Sequence, residues 1–252
     1  MLENKTVFLT GGGGGIGSET ARTCANAGAR VIVTDIDGDA AQSVADELTA
    51  DGYDAVSHEL DVTDPEQFSA LVSATADEYG LDAIVNNAGI GHDAAVTEAV
   101  PLADRDRVMD VNIRGVWNGT RAALPIMKEQ GSGSIVNVSS LAAIVGLPKQ
   151  AVYSLSKGAV VSFTRAVAAE AGRAGVRANA ICPGFIDTGV GAEYFDESDD
   201  PDRARQIHEQ LYPLGRLGEA SEVATVIRFL ASEESSYMTG NAVRVDGGYS
   251  IS

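Results

Sequence analysis

Thr6-Val7-Phe8-Leu9-Thr10-Gly11-Gly12-Gly13-Gly14-Gly15-Ile16-Gly17 is the stretch on which the fold of this chain turns. Its first five residues are apolar or β-branched and read as a strand. Five glycines follow as a turn, and Ile16 to Ala27 then carries helical apolar spacing that Gly28 ends. Strand, glycine turn and helix in that order suit a pyrophosphate: the backbone turns tightly, approaches closely and aims helix N–H groups at negative charge. A merely flexible glycine turn is the competing reading, and the flanking strand and helix argue against it. The run satisfies G-x-x-x-G-x-G, G-x-x-G-x-x-G and G-x-G-x-x-G together, so the glycines alone do not choose among dinucleotide-binding families. Gly11, Gly14, Gly15, Ile16 and Gly17 are the candidate cofactor contacts in this turn.

The same alternation continues outward. Strands are expected at Arg30 to Asp35, 54–60, Asp82 to Asn86, Ser134 to Ser139, Val176 to Ile181 and Asn241 to Val245. Helices are expected at about 38–50, from Pro65, as two stretches over about 104–130, at 151–173 and at 220–231. Strands alternating with helices predict an α/β fold: a doubly wound, Rossmann-like parallel sheet of about seven strands with helices on both faces. No linker, repeat or second composition zone divides the chain, so one domain over 1–252 is the economical expectation. The polar, acidic stretch 184–213 reads as irregular, and its length suggests a substrate loop.

Asp35 ends the second strand, eighteen residues after Gly17. A carboxylate about there is placed to bind the adenosine ribose hydroxyls and would repel a 2′-phosphate. The glycine turn also lacks an Arg or Lys to receive one. Both points favour NAD over NADP; a helix N-cap or a surface acid is the structural alternative for Asp35.

Eighteen basic residues face thirty-six acidic ones, a net charge of −18, and only four of the basic residues are lysine. Such a surface repels nucleic acid and anionic lipid, so neither is expected as a partner. An ordinary acidic enzyme and adaptation to high salt both fit the balance; scarce lysine favours the second. No stretch reaches the ~18 apolar residues of a membrane span. The opening residues show no secretory signal, and the two cysteines, Cys24 and Cys182, fall in elements expected to be buried; a cytoplasmic protein with two free thiols is the expectation. His58, His92 and His208 are scattered and form no metal set and no Ser-His-Asp set.

Tyr153-Ser154-Leu155-Ser156-Lys157 begins thirteen residues after Ser140. Positions i and i+4 share a helix face, so phenol and ammonium can enter one pocket. An ammonium beside a phenol favours the phenolate and lowers its pKa from near ~10. Alone, the spacing is equally that of a solvated helix face.

With Ser140, Tyr153, Lys157 and the glycine turn together, the chain resembles the short-chain dehydrogenase/reductase family over essentially its whole length. Asp61-Val62 resembles the family's adenine-contacting pair, and Asn86-Asn87-Ala88-Gly89 the motif that ends its fourth strand. Asn112 matches the helix asparagine, Pro183-Gly184-Phe185-Ile186-Asp187-Thr188 the segment that holds the nicotinamide carboxamide, and Thr239-Gly240 through Asp246-Gly247-Gly248 the terminal strand. The length points to the compact single-domain branch. The resemblance implies that Tyr153 is the general acid/base, that Ser140 orients the substrate oxygen, and that Lys157 lowers the Tyr153 pKa and holds the nicotinamide ribose. It implies that Asn112 anchors a water extending a proton relay. Asp61, Val62, Asn86, Ala88, Gly89, Tyr153, Lys157, Pro183, Gly184, Ile186 and Thr188 are the further cofactor contacts it implies. Ser139 is expected to be structural, because the family spacing to tyrosine selects Ser140. A homotetramer is also implied, with 220–246 packed against a partner.

By the same resemblance the substrate pocket takes Ala142, Ala143, Ile144 and Val145, then Gln150, then Phe185 and 188–213, with His92 at its rim as a substrate contact or a solvated loop residue. The first set is small and apolar with no arginine, and Ala142 stands where the family's 3-hydroxybutyrate dehydrogenases have histidine. Glu193, Tyr194 and the acids at 196–200 disfavour anions. The expectation is an NAD-dependent oxidoreductase acting on a neutral secondary alcohol, cyclic alcohol or sugar hydroxyl. A 3-oxoacyl-thioester reductase is the alternative enzyme, and a non-catalytic dinucleotide-binding regulator the alternative of another class.

Overall fold

The computed structural model describes residues 2–188 and 200–251. Seven strands form one sheet: β1 (Thr6–Thr10), β2 (Arg30–Asp35), β3 (Ala55–Glu59), β4 (Ala83–Asn86), β5 (Gly133–Val138), β6 (Val176–Pro183) and β7 (Ala242–Val245). Their order is β3-β2-β1-β4-β5-β6-β7, and all neighbours run parallel. This is the sheet that the alternation predicts. Winding reverses between β1 and β4, and a cleft opens at such a switch point beyond the strand C-termini. The glycine turn after β1 and Asn86–Gly89 at the end of β4 therefore meet at its mouth.

Side chains along the strands divide between two cores with period two. Val7 and Leu9 of β1 pack on one face, with Val31 and Val33 of β2. Phe8 and Ile32, between them, pack on the other. Helices α1 (Gly15–Asn26), α2 (Gly38–Ala50) and Ala220–Ala231 cover the first face through residues such as Cys24, Val44 and Ile227. Helices α3 (Pro65–Tyr79), Val116–Gln130 and Ala151–Ala171 cover the second through Phe68, Met127 and Val167. Phe8 and Phe68 stack with centroids 5.9 Å apart, each fully buried, an arrangement in which each ring contributes ~1.5–3 kcal/mol by burial.

Helix starts follow their capping residues. Asp37 caps α2, accepting from Ala40 N, and Asp64 caps α3 ahead of Pro65, accepting from Glu66 N and Gln67 N. The 104–130 stretch resolves into α4 (Leu102–Met109), a π-helical turn (Asp110–Gly115) and α5 (Val116–Gln130). After α6 (Ala151–Ala171) the structure corrects the expectation that 184–213 is irregular: α7 occupies Pro201–Glu209. Its signal was present, since Asp200 accepts from Arg203 N and Pro201 takes the first helical turn. The charge density of the segment hid it. The chain then closes with α8 (Ala220–Ala231) and β7. Glu193, Tyr194 and the acids at 196–199 lie outside the described residues.

Candidate active site

The glycine turn is built for close approach. Gly11 holds φ +64° and Gly15 φ +57°, conformations that favour glycine. A Cβ on Gly17 would stand 1.8 Å from the Gly11 carbonyl oxygen, and one on Gly11 2.8 Å from Ala88 Cα. A Cβ on Gly14, by contrast, would meet no protein atom within 4 Å. Gly14 is the N-cap of α1, no side chain caps that end, and no acidic residue sits in its first turn. The helix N-terminus therefore faces open space with uncapped donors, which suits a pyrophosphate. Gly17→Ala is expected to destabilise the fold by about 1–3 kcal/mol through overpacking, seen as a lower melting temperature, and to weaken cofactor binding. Gly14→Ala should melt like the wild type yet bind cofactor more weakly. Thermal melts with nucleotide titrations check both, and a Gly17→Ala protein that behaves as the wild type would contradict the packing.

Asp35 faces this turn. Its carboxylate accepts from Gly13 N at 2.9 Å and from Asp37 N at 3.1 Å, so it is oriented by the backbone. Asp37, not Asp35, caps α2. Asp61 accepts from Thr63 N and Thr63 Oγ1, both at 2.8 Å, and Val62 is buried against Gly115. The Asn86 side chain is turned away from the cleft: it is buried and donates to Asn137 Oδ1 at 2.8 Å and Thr120 Oγ1 at 3.3 Å. Asn87 instead donates to the carbonyls of Thr10 and Gly11 and ties the two strand ends together.

Ser140, Tyr153, Lys157 and Asn112 converge beside it. Ser140 caps a short 3₁₀ turn (Leu141–Ala143), and its hydroxyl accepts from Ala142 N at 3.1 Å. Tyr153 lies in the first turn of α6 and shares a hydrogen bond with the Ser140 side chain. Lys157 Nζ sits 5.6 Å from the Tyr153 ring centroid, as i,i+4 spacing requires, and donates to Val138 O at 3.0 Å. Ser139 donates to the Lys157 carbonyl at 2.8 Å, the structural place expected of it. The Asn112 side chain is fully engaged: Oδ1 accepts from Ile90 N at 2.9 Å, and Nδ2 donates to Ile90 O at 2.9 Å and Ser156 Oγ at 3.0 Å. It clamps the segment after Gly89, where a Cβ would stand 2.9 Å from Lys157 Nζ. Asn112 rides on the π-helical turn, a distortion often found at functional sites.

Burial dominates the electrostatics. It pushes the Tyr153 phenol above its ordinary pKa, with the Ser140 hydrogen bond pulling the other way. The expected lowering by Lys157 is not among these causes: the shift is upward, set by burial and opposed by Ser140. Burial pushes Lys157 down to about 8. Below pH 8 both folded and unfolded chains hold the Lys157 proton; above it the folded chain releases first, so stability rises with pH. Above pH 10 the raised tyrosines, Tyr153 and Tyr212, act in the opposite sense. Urea unfolding between pH 8 and 10 should show a rising contribution in the wild type that Lys157→Met lacks; parallel curves would refute the burial cost.

The substrate residues divide. Ala142 is buried at the Ser140 turn, and Gln150 donates to the His92 carbonyl at 3.1 Å, so both lie with the catalytic group. Phe185 makes contacts of its own. Its ring meets the His208 ring edge-on at 5.0 Å, its N–H donates to the Tyr212 hydroxyl at 2.8 Å, and it lines a cavity of about 410 Å³ with Leu214, Leu217 and Val245. Neither Ser140 nor Tyr153 lines that cavity. Arg205 of α7 forms a two-pronged ion pair with Asp187, which fastens that helix to the 184–188 segment. Among the described residues, no cluster of three or more His, Cys, Asp or Glu side chains could hold a metal, and no helix is long and apolar enough to cross a membrane. Both cysteines are free and buried.

A family profile described as enoyl-(acyl carrier protein) reductase matches residues 12–250. The chain belongs to the short-chain dehydrogenase/reductase family. It is 40% identical over 251 residues to a 3-oxoacyl-[acyl-carrier-protein] reductase, FabG, of Thermotoga maritima, covering 99% of both chains. The crystal structure of levodione reductase superposes with a TM-score of 0.96 at 36% identity, covering all of both chains. A gluconate 5-dehydrogenase of Burkholderia cenocepacia, in complex with NADP and tartrate, superposes at 0.93 and 30% identity, covering 100% of this chain and 97% of that one. As a short-chain dehydrogenase/reductase, this protein is an oxidoreductase that interconverts CH–OH and carbonyl groups with a nucleotide cofactor.

Proposed function

We propose that this short-chain dehydrogenase/reductase is an NAD-dependent dehydrogenase of neutral secondary alcohols, cyclic alcohols or sugar hydroxyls, with Tyr153 as its general acid/base. The observation that carries the reading is the convergence of Ser140, Tyr153 and Lys157 beside a glycine turn whose open face suits a dinucleotide. When bound there, NAD supplies the acceptor for the hydride. Gly11, Gly14, Gly15, Ile16 and Gly17 hold the pyrophosphate end, and Asp35 binds the adenosine ribose. Asp61 and Val62 flank the adenine. Ala88 and Gly89, with the backbone of Asn86, floor the cleft, and Pro183, Gly184, Ile186 and Thr188 border its far end.

Ser140 donates to the substrate oxygen and fixes its position. Tyr153 takes the hydroxyl proton in oxidation and returns it in reduction. Lys157, fixed by Val138 O, places positive charge beside the phenol and holds the nicotinamide ribose. Asn112, whose side chain is committed to Ile90 and Ser156, holds the segment on which Lys157 rests and anchors the relay water.

NAD preference is supported by the Asp35 carboxylate, oriented at the turn by Gly13 N, although the gluconate 5-dehydrogenase structure holds NADP. A second reading, reduction of 3-oxoacyl thioesters, is favoured by the 40% identity to FabG. A non-catalytic role is opposed by the intact, assembled Asn112, Ser140, Tyr153 and Lys157. We further propose a cytoplasmic homotetramer. Leu102, Trp117 and Leu155 expose apolar surface on α4, α5 and α6, which supports an interface there. The net charge of −18 supports adaptation to high salt.

The test is reduced-cofactor absorbance at 340 nm across secondary alcohols, sugars, hydroxy acids and a 3-oxoacyl thioester, with NAD and NADP in parallel, at low and at molar KCl. Turnover of a neutral alcohol with NAD supports the reading, and activity should hold or rise with KCl. Turnover of the thioester with NADPH alone moves the assignment to the second reading, and activity that falls steadily with KCl removes the salt adaptation.

A further inference from the structure

Helix α7 has nine residues and buries none of them. A helix that short is marginal in water on its own, so its place depends on what it touches. Arg205 makes the polar tie. Its Nη1 donates to Asp187 Oδ1 at 2.7 Å, its Nη2 donates to Asp187 Oδ2, and its Nε donates to Glu209 Oε1 at 3.4 Å. One guanidinium thus joins a carboxylate a turn further along α7 to a carboxylate eighteen residues back. A two-pronged pair fixes direction as well as distance. Beside it the His208 ring meets Phe185, and Ala204 packs against Tyr212 and Leu217.

The far end of the pair is fixed independently of α7. Gly184 N donates to Val245 O at 2.9 Å, Gly218 N to Phe185 O at 3.1 Å, and Asp187 N to Gly218 O at 3.0 Å. Asp187 therefore stands on a base pinned to the end of β7 and to Gly218, just ahead of α8. That base leaves β6 next to the catalytic group: Ile181 pairs with Val138, and Ser139 N, beside Ser140, donates to Ile181 O at 2.8 Å. Arg205 thereby holds α7 at the carboxyl ends of β6 and β7, the side of a doubly wound sheet on which ligands bind.

We infer that Arg205 is a positioning residue: its ion pair with Asp187 seats α7 against the substrate, so that loss of the pair weakens substrate binding and leaves cofactor binding and the chemical step in place. The inference rests on the dehydrogenase reading. The cofactor is spared because the 184–188 segment keeps its backbone bonds to Val245 and Gly218 when α7 is released. The substrate is not, because α7 loses its tie and the carboxylates of Asp187 and Glu209 lose the cation between them and repel. Arg205 acts through Asp187 and moves no proton.

The experiment compares the wild type with Arg205→Met, Asp187→Asn, both together, Arg205→Lys, and the exchange of Arg205→Asp with Asp187→Arg. The substrates are cyclohexanol and whichever alcohol or sugar of the panel is turned over fastest, with NAD as cofactor. Arg205→Met should raise the KM of the alcohol roughly three- to tenfold, as loss of a two-pronged but partly exposed pair implies. Its kcat should stay within about twofold of the wild type, and NADH should bind with a dissociation constant close to the wild-type one. The Arg205→Met, Asp187→Asn protein should be no worse than either single variant, the signature of one shared interaction. Arg205→Lys, which keeps the charge and loses the fork, should fall between, and the exchanged pair should recover part of the loss. Because α7 buries no residue, melting temperatures should stay near the wild type throughout. A lower melting temperature with KM unmoved overturns the inference and makes the pair a brace of the fold. Additive effects of the two single variants, or a fall in kcat in place of the rise in KM, overturn it too. Turnover of no alcohol by the wild type overturns the dehydrogenase reading and this inference with it, whereas turnover with KM indifferent to Arg205 overturns the inference alone.

Discussion

Tyr153→Phe lowers kcat by on the order of 10²–10⁴-fold while nucleotide binding persists, which is the expected loss of a positioned acid/base. The substitution removes one hydroxyl and keeps the ring packing in α6, so folding should be preserved. Two readouts separate this account from a structural one: fluorescence titration with NADH should give a dissociation constant close to that of the wild type, and the melting temperature should stay near it. The pH profile carries a further signature. Burial raises the Tyr153 pKa, so the deprotonated form grows as pH rises and oxidation should quicken with it. That rising limb should be missing from the residual activity of the phenylalanine variant. Near-normal turnover by Tyr153→Phe would mean that another group moves the proton.

Asp35→Ser is expected to move the cofactor preference by roughly 10- to 100-fold in the NAD to NADP ratio of kcat/KM. Hydrogen bonds to a charged group are worth ~1.5–3 kcal/mol, and these are lost for the adenosine ribose. Repulsion of a 2′-phosphate is relieved as well, a smaller contribution because solvent and salt screen this partly exposed carboxylate. Both changes act in the same direction. The carboxylate also braces Gly13 N at 2.9 Å, so the variant should lose some stability in addition. Asp35→Asn, which keeps an acceptor for that N–H, isolates the charge. A ratio unchanged in both variants would remove Asp35 from cofactor selection.

The sheet was legible because its information is local. Thr6–Thr10, Arg30–Asp35 and the later strands are short apolar runs bounded by turn residues, and their boundaries hold to within a residue or two. The Tyr153–Lys157 pair was legible because i,i+4 spacing survives in any helix, and Ser140 by its distance from that pair. What the sequence leaves open depends on side-chain direction. Asn86 opens the motif that ends β4, yet the pleat turns it into the core toward Asn137, while its neighbour Asn87 ties the turn. The clamp of Asn112 on Ile90 and Ser156 joins residues 22 and 44 apart, which no spacing rule reports. Phe185 lies in the right segment but packs on His208 of α7, a helix that acidic composition concealed behind its own Asp200-Pro201 start. The expected lowering of the Tyr153 pKa considered the neighbouring charge and left out burial, which the sequence does not display.

Transfer of deuterium from the carbinol carbon of the best alcohol to the cofactor tests the central claim most directly. The alcohol is labelled at that carbon, oxidised by the wild type with NAD, and the reduced cofactor is weighed by mass spectrometry. The account predicts one deuterium in the NADH formed, with Tyr153→Phe forming it far more slowly. Reduced cofactor without the label, or label arriving equally fast in the phenylalanine variant, would contradict it.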